Sequence, residues 1–193
     1  MSLTPSTMIL EPGSEAPGFS LPDTGGDTVT LDSFKSAKAI LIIFMCNHCP
    51  YVKHVRKGLV ELERYCRERE VAVVGINSND ADNYPQDSPK MMAKECEEQG
   101  YRFPYLYDES QETAKSYGAS CTPDFFLFDS NRKLVYRGQM DGSRPGNDIP
   151  VTGQDIRAAV DALLEGREPL KEQKPSLGCN IKWKAGKEPG YYR

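Results

Sequence analysis

The apolar positions of this chain change period in a definite order. Ala39 to Met45 reads Ala-Ile-Leu-Ile-Ile-Phe-Met. This unbroken, largely β-branched run predicts a central strand buried on both faces. From Tyr51 to about Glu70 the period turns helical. Val52, Val55, Leu59, Leu62 and Tyr65-Cys66 recur at spacings of three and four, and Pro50 suits the first turn, where its missing N–H costs nothing. Val71 to Ile76 predicts a second buried strand. Asn77 to Pro89 is a polar loop, with Asp80 to Ser88 expected on the surface. A helix from Ser88-Pro89 to Gln99 closes at Gly100.

Tyr105 to Tyr107 is a short extended piece, and Ser110 to Tyr117 a short helix ending at Gly118. Asp124–Phe128 and Lys133–Arg137 are strands joined by the turn residues Asp129-Ser130-Asn131-Arg132. A last helix, Ile156–Leu164, is capped by Thr152 to Asp155. Upstream, Phe19-Ser20-Leu21 and Thr28 to Leu31 alternate as a small hairpin does, and Asp32-Ser33-Phe34 opens a helical turn. Gly166 to Arg193 is basic, broken by Pro and Gly, and without periodicity. Strands separated by helices predict parallel neighbours with right-handed crossovers, and the closing hairpin adds antiparallel strands. The class is therefore α/β, with a mixed central sheet and helices on both faces.

Composition narrows the picture only a little. The chain has 193 residues, 38% of them hydrophobic, and a net charge of −4, which fits a globular protein and argues against nucleic acid as a partner. The apolar run at 39–45 is too short to span a bilayer. The stretch Met1 to Gly13 lacks the pattern of a secretory signal, so a cytoplasmic location is the expectation. The six cysteines, Cys46, Cys49, Cys66, Cys96, Cys121 and Cys179, are then expected as thiols, with any special pair catalytic or metal-binding.

The special pair is Cys46-Asn47-His48-Cys49, between a buried strand and a helix. A cysteine at a helix N-terminus gains from the unpaired N–H groups and the dipole, which stabilise the nucleophilic thiolate. Cys46 is expected to attack and Cys49 to resolve the mixed disulfide, with His48 lowering the Cys46 pKa. A structural zinc site needs four ligands. There is no second Cys-x-x-Cys, and the two histidines, His48 and His54, are six residues apart, so no metal is expected. Cys66 and Cys96 lie on helical patterns as packing residues.

The strings Phe44-Met45-Cys46-Asn47-His48-Cys49-Pro50-Tyr51-Val52, Cys121-Thr122-Pro123 and Leu177-Gly178-Cys179-Asn180-Ile181-Lys182-Trp183 resemble the thioredoxin superfamily, in particular its small peroxiredoxin-like group. The resemblance implies a thioredoxin-like three-layer fold with an N-terminal β-hairpin extension. It implies a single domain over 1–165 and a tail, 166–193, packed on it. It implies that Pro123 is a cis-proline facing the cysteine pair, leaving the Thr122 backbone open to a substrate strand. The implied activity is thiol–disulfide oxidoreduction, with Cys121 and Cys179 as auxiliary redox candidates and no cofactor, since the dithiol itself cycles. The implied partners are a protein or small-molecule disulfide and a dithiol reductase. The alternatives that the resemblance leaves open are a thiol peroxidase using Cys49 and, ranked below it, a copper- or zinc-binding protein on the same fold; peroxiredoxins carry Pro-x-x-x-Thr-x-x-Cys, whose Cys aligns with Cys49. Here Cys46 takes the Thr position and Ile42 the Pro position, and no Arg stands near Pro123-Asp124 to polarise a peroxide. Thioredoxin-fold copper carriers use Cys-x-x-x-Cys and a distant His, neither of which is present.

Overall fold

The computed structural model describes residues 3–168 and 170–192. Its centre is a five-stranded sheet in the order β6-β5-β4-β8-β9, formed by β4 (Ala39–Phe44), β5 (Val71–Asn77), β6 (Tyr105–Tyr107), β8 (Asp124–Asp129) and β9 (Leu134–Gly138). β4 pairs in parallel with β5 and antiparallel with β8, and β9 lies antiparallel to β8. The mixed sheet expected from the sequence is present.

All six residues of β4 are buried, at 0–1% exposure, because both faces of the sheet are covered. Leu41 and Ile43 pack with Val52, Val55, Leu59 and Leu62 of α1 (Pro50–Arg67), Met92 of α2 (Pro89–Gln99) and Ile156 and Val160 of α4 (Gln154–Leu164). Ile40, Ile42 and Phe44 point the other way, toward Ala114 and Tyr117 of α3 (Glu112–Tyr117). Period-two alternation in a strand with two apolar faces thus produces three layers. Burying each such side chain fully contributes about 1.5–3 kcal/mol. The hairpin β2 (Ser20–Pro22) and β3 (Thr28–Thr30) sits at one margin, bridged at Asp23 to Leu106 of β6. α1 ends at Arg67, three residues before the expected Glu70, which itself has φ +60°.

Two segments behave differently from their sequence reading. The polar N-terminus forms β1 (Leu3–Pro5), and the aperiodic tail forms β10 (Leu177–Asn180). They pair with each other and with β7 (Cys121–Thr122) in a second sheet ordered β1-β10-β7. Four residues cannot reveal a period, and β10 depends on partners far away in sequence.

The tail is held along its length. Ile181 N–H donates to the Ser120 carbonyl at 3.0 Å, and Asp80 N–H to the Lys182 carbonyl at 2.9 Å. Ile181 and Trp183 join the core on the α3 side. Close approach is permitted where side chains are missing: a Cβ on Gly138 would lie 2.2 Å from the Lys174 carbonyl oxygen. Beneath the second sheet, Arg137 and Asp124 form an ion pair of 3.7 Å, both fully buried, and Ser6 Oγ donates to Asp124 at 3.0 Å. Burial raises the Asp124 carboxyl from 3.8 to about 6 against the opposing pull of Arg137.

Candidate active site

Cys49, not Cys46, is the N-cap residue of α1, with Pro50 at the first helical position. Proline has no N–H, so the first-turn donor that reaches the Cys49 sulfur is Val52 N–H. Cys46 lies three residues earlier, just past the end of β4. The thiols of Cys46 and Cys179 also donate to Cys49. These donors bring the Cys49 thiol well below its ordinary range although burial opposes them. As a thiol, Cys49 instead donates to the Thr122 carbonyl at 3.2 Å. Cys46 moves the opposite way, raised first by burial, then by its hydrogen bond to Cys49 and by the negative charge of Asp87. The surroundings thus favour charge on Cys49, where the sequence reading expected the thiolate on Cys46, because the helix terminus begins at the second cysteine.

His48 is engaged by an acid from a neighbouring loop. Its Nδ1 lies 2.5 Å from Asp87 Oδ2, and its ring stacks on Tyr84 at 5.5 Å between centroids. Asp87 is fully buried. It accepts further bonds from Asn47 N–H and Asn79 Nδ2, both at 2.8 Å. These bonds hold its carboxyl below 3.8 against the effect of burial. The loop that brings it there, expected on the surface, is thus anchored inside the site at Asp87. The sequence signal lay in Tyr84-Pro85-Gln86-Asp87-Ser88-Pro89: two prolines fix a short 3-10 turn, Pro85–Asp87, and hold one acid in a single place.

Cys46 Sγ, a ring nitrogen of His48 and a carboxylate oxygen of Asp87 lie within 4.8 Å of one another, a spacing that metal ligands can share. His48 and Asp87 are bonded to each other and Asp87 also accepts from the two Asn donors, while Cys46 bonds Thr122 and Cys49 instead.

Thr122 and Pro123 face the pair. The Thr122 hydroxyl lies 3.4 Å from Cys46 Sγ, and the Thr122-Pro123 peptide is cis. The Thr122 backbone is not open to a substrate strand, however: Cys179 is its partner across β7–β10. Cys179 therefore belongs to the site. Cys121, opposite Asn180, points to the other face of the strand, and burial first, then the charge of Asp124, raises its thiol pKa. Burial likewise pushes Cys66 to about 12 and Cys96 to about 11, consistent with packing roles. Cys46 is 1% and Cys49 0% exposed. A shallow groove lined by Tyr51, Pro123, Ser176 and Leu177 runs beside them. No helix among the described residues is long and apolar enough to cross a membrane.

The Redoxin family pattern matches residues 11–156. The structure of an uncharacterized conserved protein from Geobacillus kaustophilus is 55% identical, covers 96% of this chain and 98% of its own, and superposes with a TM-score of 0.93. The thiol-disulfide oxidoreductase ResA of Bacillus thuringiensis subsp. konkukian is 26% identical over 126 residues, 65% of this chain and 68% of that relative. Peroxidoxin BcpB from Mycobacterium tuberculosis is 18% identical over 81% of this chain and 97% of its own, with a TM-score of 0.61. That last likeness is one of fold, the thioredoxin-like three-layer arrangement.

Proposed function

The chain belongs to the Redoxin family, and from that premise we propose that it is a thiol–disulfide oxidoreductase cycling between the Cys46/Cys49 dithiol and its disulfide. The observation that carries the reading is the set of donors gathered on Cys49 at the start of α1, with a second thiol, Cys46, in hydrogen-bond contact. The Cys49 thiolate attacks one sulfur of a substrate disulfide, and the other leaves as a thiolate. Cys46 then attacks Cys49 Sγ in the mixed disulfide. It closes the Cys46–Cys49 bond, releases the second substrate thiol and gives up its proton to it. A partner dithiol returns the two electrons needed for the next cycle. Thr122 positions Cys46 through its hydroxyl and Cys49 through its carbonyl, while Pro123 shapes the adjoining groove. His48 and Asp87 hold the Asn47 turn and keep negative charge beside Cys46, which favours its role as the later, protonated attacker.

A peroxidase reading has one point in its favour, the donors that favour ionisation of Cys49 at the peroxidatic position. Against it, the buried Arg137 is held away from the pair, its Nη2 donating to the Gly118 carbonyl at 2.8 Å and Thr7 Oγ1 at 3.1 Å and lying 3.7 Å from Asp124. The test is reduction of insulin disulfides and of hydroperoxides side by side, with Cys46→Ser and Cys49→Ser variants. Disulfide turnover lost in both variants supports the proposal. Peroxide turnover that needs Cys49 alone, without disulfide reductase activity, overturns it.

A further inference from the structure

The tail strand brings a third sulfur to the dithiol. Residues directly opposite in an antiparallel pair share a face. Cys179, opposite Thr122, therefore projects on the face where the Thr122 hydroxyl meets Cys46 Sγ at 3.4 Å. Its thiol donates to Cys49, whose Sγ lies 3.2 Å from the Thr122 carbonyl oxygen. One residue along, Cys121 faces away, so the register admits one tail-side sulfur to the site. That register requires Gly178, where a Cβ would lie 2.0 Å from the Thr122 carbonyl oxygen.

We propose that Cys179 is a third redox cysteine, which takes over the disulfide from Cys46 as a Cys49–Cys179 bond and so fastens the tail covalently across the site. The inference rests on the thiol–disulfide activity proposed above. In the oxidised protein the Cys179 sulfur, as thiolate, attacks Cys49 Sγ. The Cys46–Cys49 bond breaks, the Cys49–Cys179 bond forms, and Cys46 leaves as a thiolate that takes up the proton lost by Cys179. The exchange is redox-neutral and needs no further oxidant. In the dithiol state Cys179 stays protonated, its thiol pushed up to about 12 by burial and by its bond to and the charge of Cys49. Disulfide formation at Cys49 removes the last two of these causes, and Lys182 already favours the Cys179 thiolate. The product leaves Cys46 as the thiol to be re-engaged and holds β10 over the groove.

The test is disulfide mapping of the full chain equilibrated in glutathione buffers of graded oxidation, acid-quenched, alkylated and digested with trypsin. Cys46 and Cys49 then fall in fragment 39–53 and Cys179 in fragment 172–182. In Cys46→Ser, the expected dominant species is 39–53 joined to 172–182. The double variant Cys46→Ser/Cys179→Ser should instead accumulate a Cys49–glutathione adduct. In the wild type the joined pair should appear as Cys46–Cys49 forms, with Cys46 alkylated. A Cys46→Ser protein that holds only the glutathione adduct, with Cys179 still alkylated, overturns the inference while leaving the Cys46–Cys49 cycle standing. Failure of the wild type to form Cys46–Cys49 in any buffer overturns both.

Discussion

Replacing Gly178 with alanine perturbs the tail closure without touching a sulfur atom. The added Cβ would sit 2.0 Å from the Thr122 carbonyl oxygen, 2.7 Å from its carbon and 3.3 Å from Pro123 N. Ordinary contact begins at 3.4 Å, so β10 must retreat by about 1.4 Å. All three obstructing atoms are backbone, and none can swing aside. Overpacking of this kind costs about 1–3 kcal/mol. For a chain of this size about 2 kcal/mol lowers Tm by roughly 4–8 °C. Because the clash exists only with β10 seated on β7, the same cost falls on the closed tail, and about 2 kcal/mol raises the open population about 30-fold. The readout is the alkylation rate of Cys46 and Cys49, followed by mass spectrometry under conditions where reclosing outpaces the reagent, so that rate tracks the open population. Gly18→Ala, whose Cβ would meet nothing within 4 Å, is the control and should alkylate like the wild type. A Gly178→Ala protein with lowered Tm but a wild-type alkylation rate would refute the reasoning: the tail would then not be what shields the thiols.

Three further outcomes follow from the buried charges. Asp87→Ala strips Asn47 N–H, Asn79 Nδ2 and His48 Nδ1 of their shared acceptor, and the loss should be about 3–5 kcal/mol in urea unfolding, with Asp87→Asn losing less. Because the folded pKa of Asp87 lies below 3.8, its stabilisation is present above that value and lost as pH falls through the lower folded value. The acid limb of wild-type stability should therefore be shallower in Asp87→Ala, and equal limbs would count against the assignment. Asp124 has the opposite sign. Raised from 3.8 to about 6, it leaves stability undiminished below pH 3.8 and costs about 3 kcal/mol as pH climbs through 6. Asp124→Asn, although less stable for want of a partner to Arg137, should have a flatter Tm between those pH values; an unchanged slope rejects the assignment. Finally, thiolate ultraviolet absorbance should persist well below the ordinary thiol range, disappear in Cys49→Ser and survive in Cys46→Ser; the reverse pattern would return the charge to Cys46.

Much of the fold was legible because its signals are local. The β4 run and the three-and-four spacing of α1 reflect burial that each segment achieves through its own periodicity, and the observed β4 and α1 fall within a few residues of the expected bounds. The Cys46-Asn47-His48-Cys49 motif was legible for the same reason, since strand, motif and helix are contiguous. Which of the two sulfurs the helix start favours was not. A shift of the helix start by three residues moves the free N–H groups from one sulfur to the other, and sequence patterns place such boundaries only to a few residues.

What the sequence determined alone was the three-layer α/β frame and the presence of a cysteine pair at a helix start. What the tertiary structure decided was everything that reaches the pair from afar. Asp87 arrives on a loop that composition marks only as polar, and its charge is favoured because two donors from the cysteine motif and one from its own loop converge on it. Cys179 arrives on a strand of four residues that is too short to carry a period and exists only through pairing with β1 and β7. The Thr122 backbone, open in the sequence reading, is closed by that same strand. Hydrogen-bond partners separated by tens of residues leave no local trace, because each group is ordinary until the fold supplies the other.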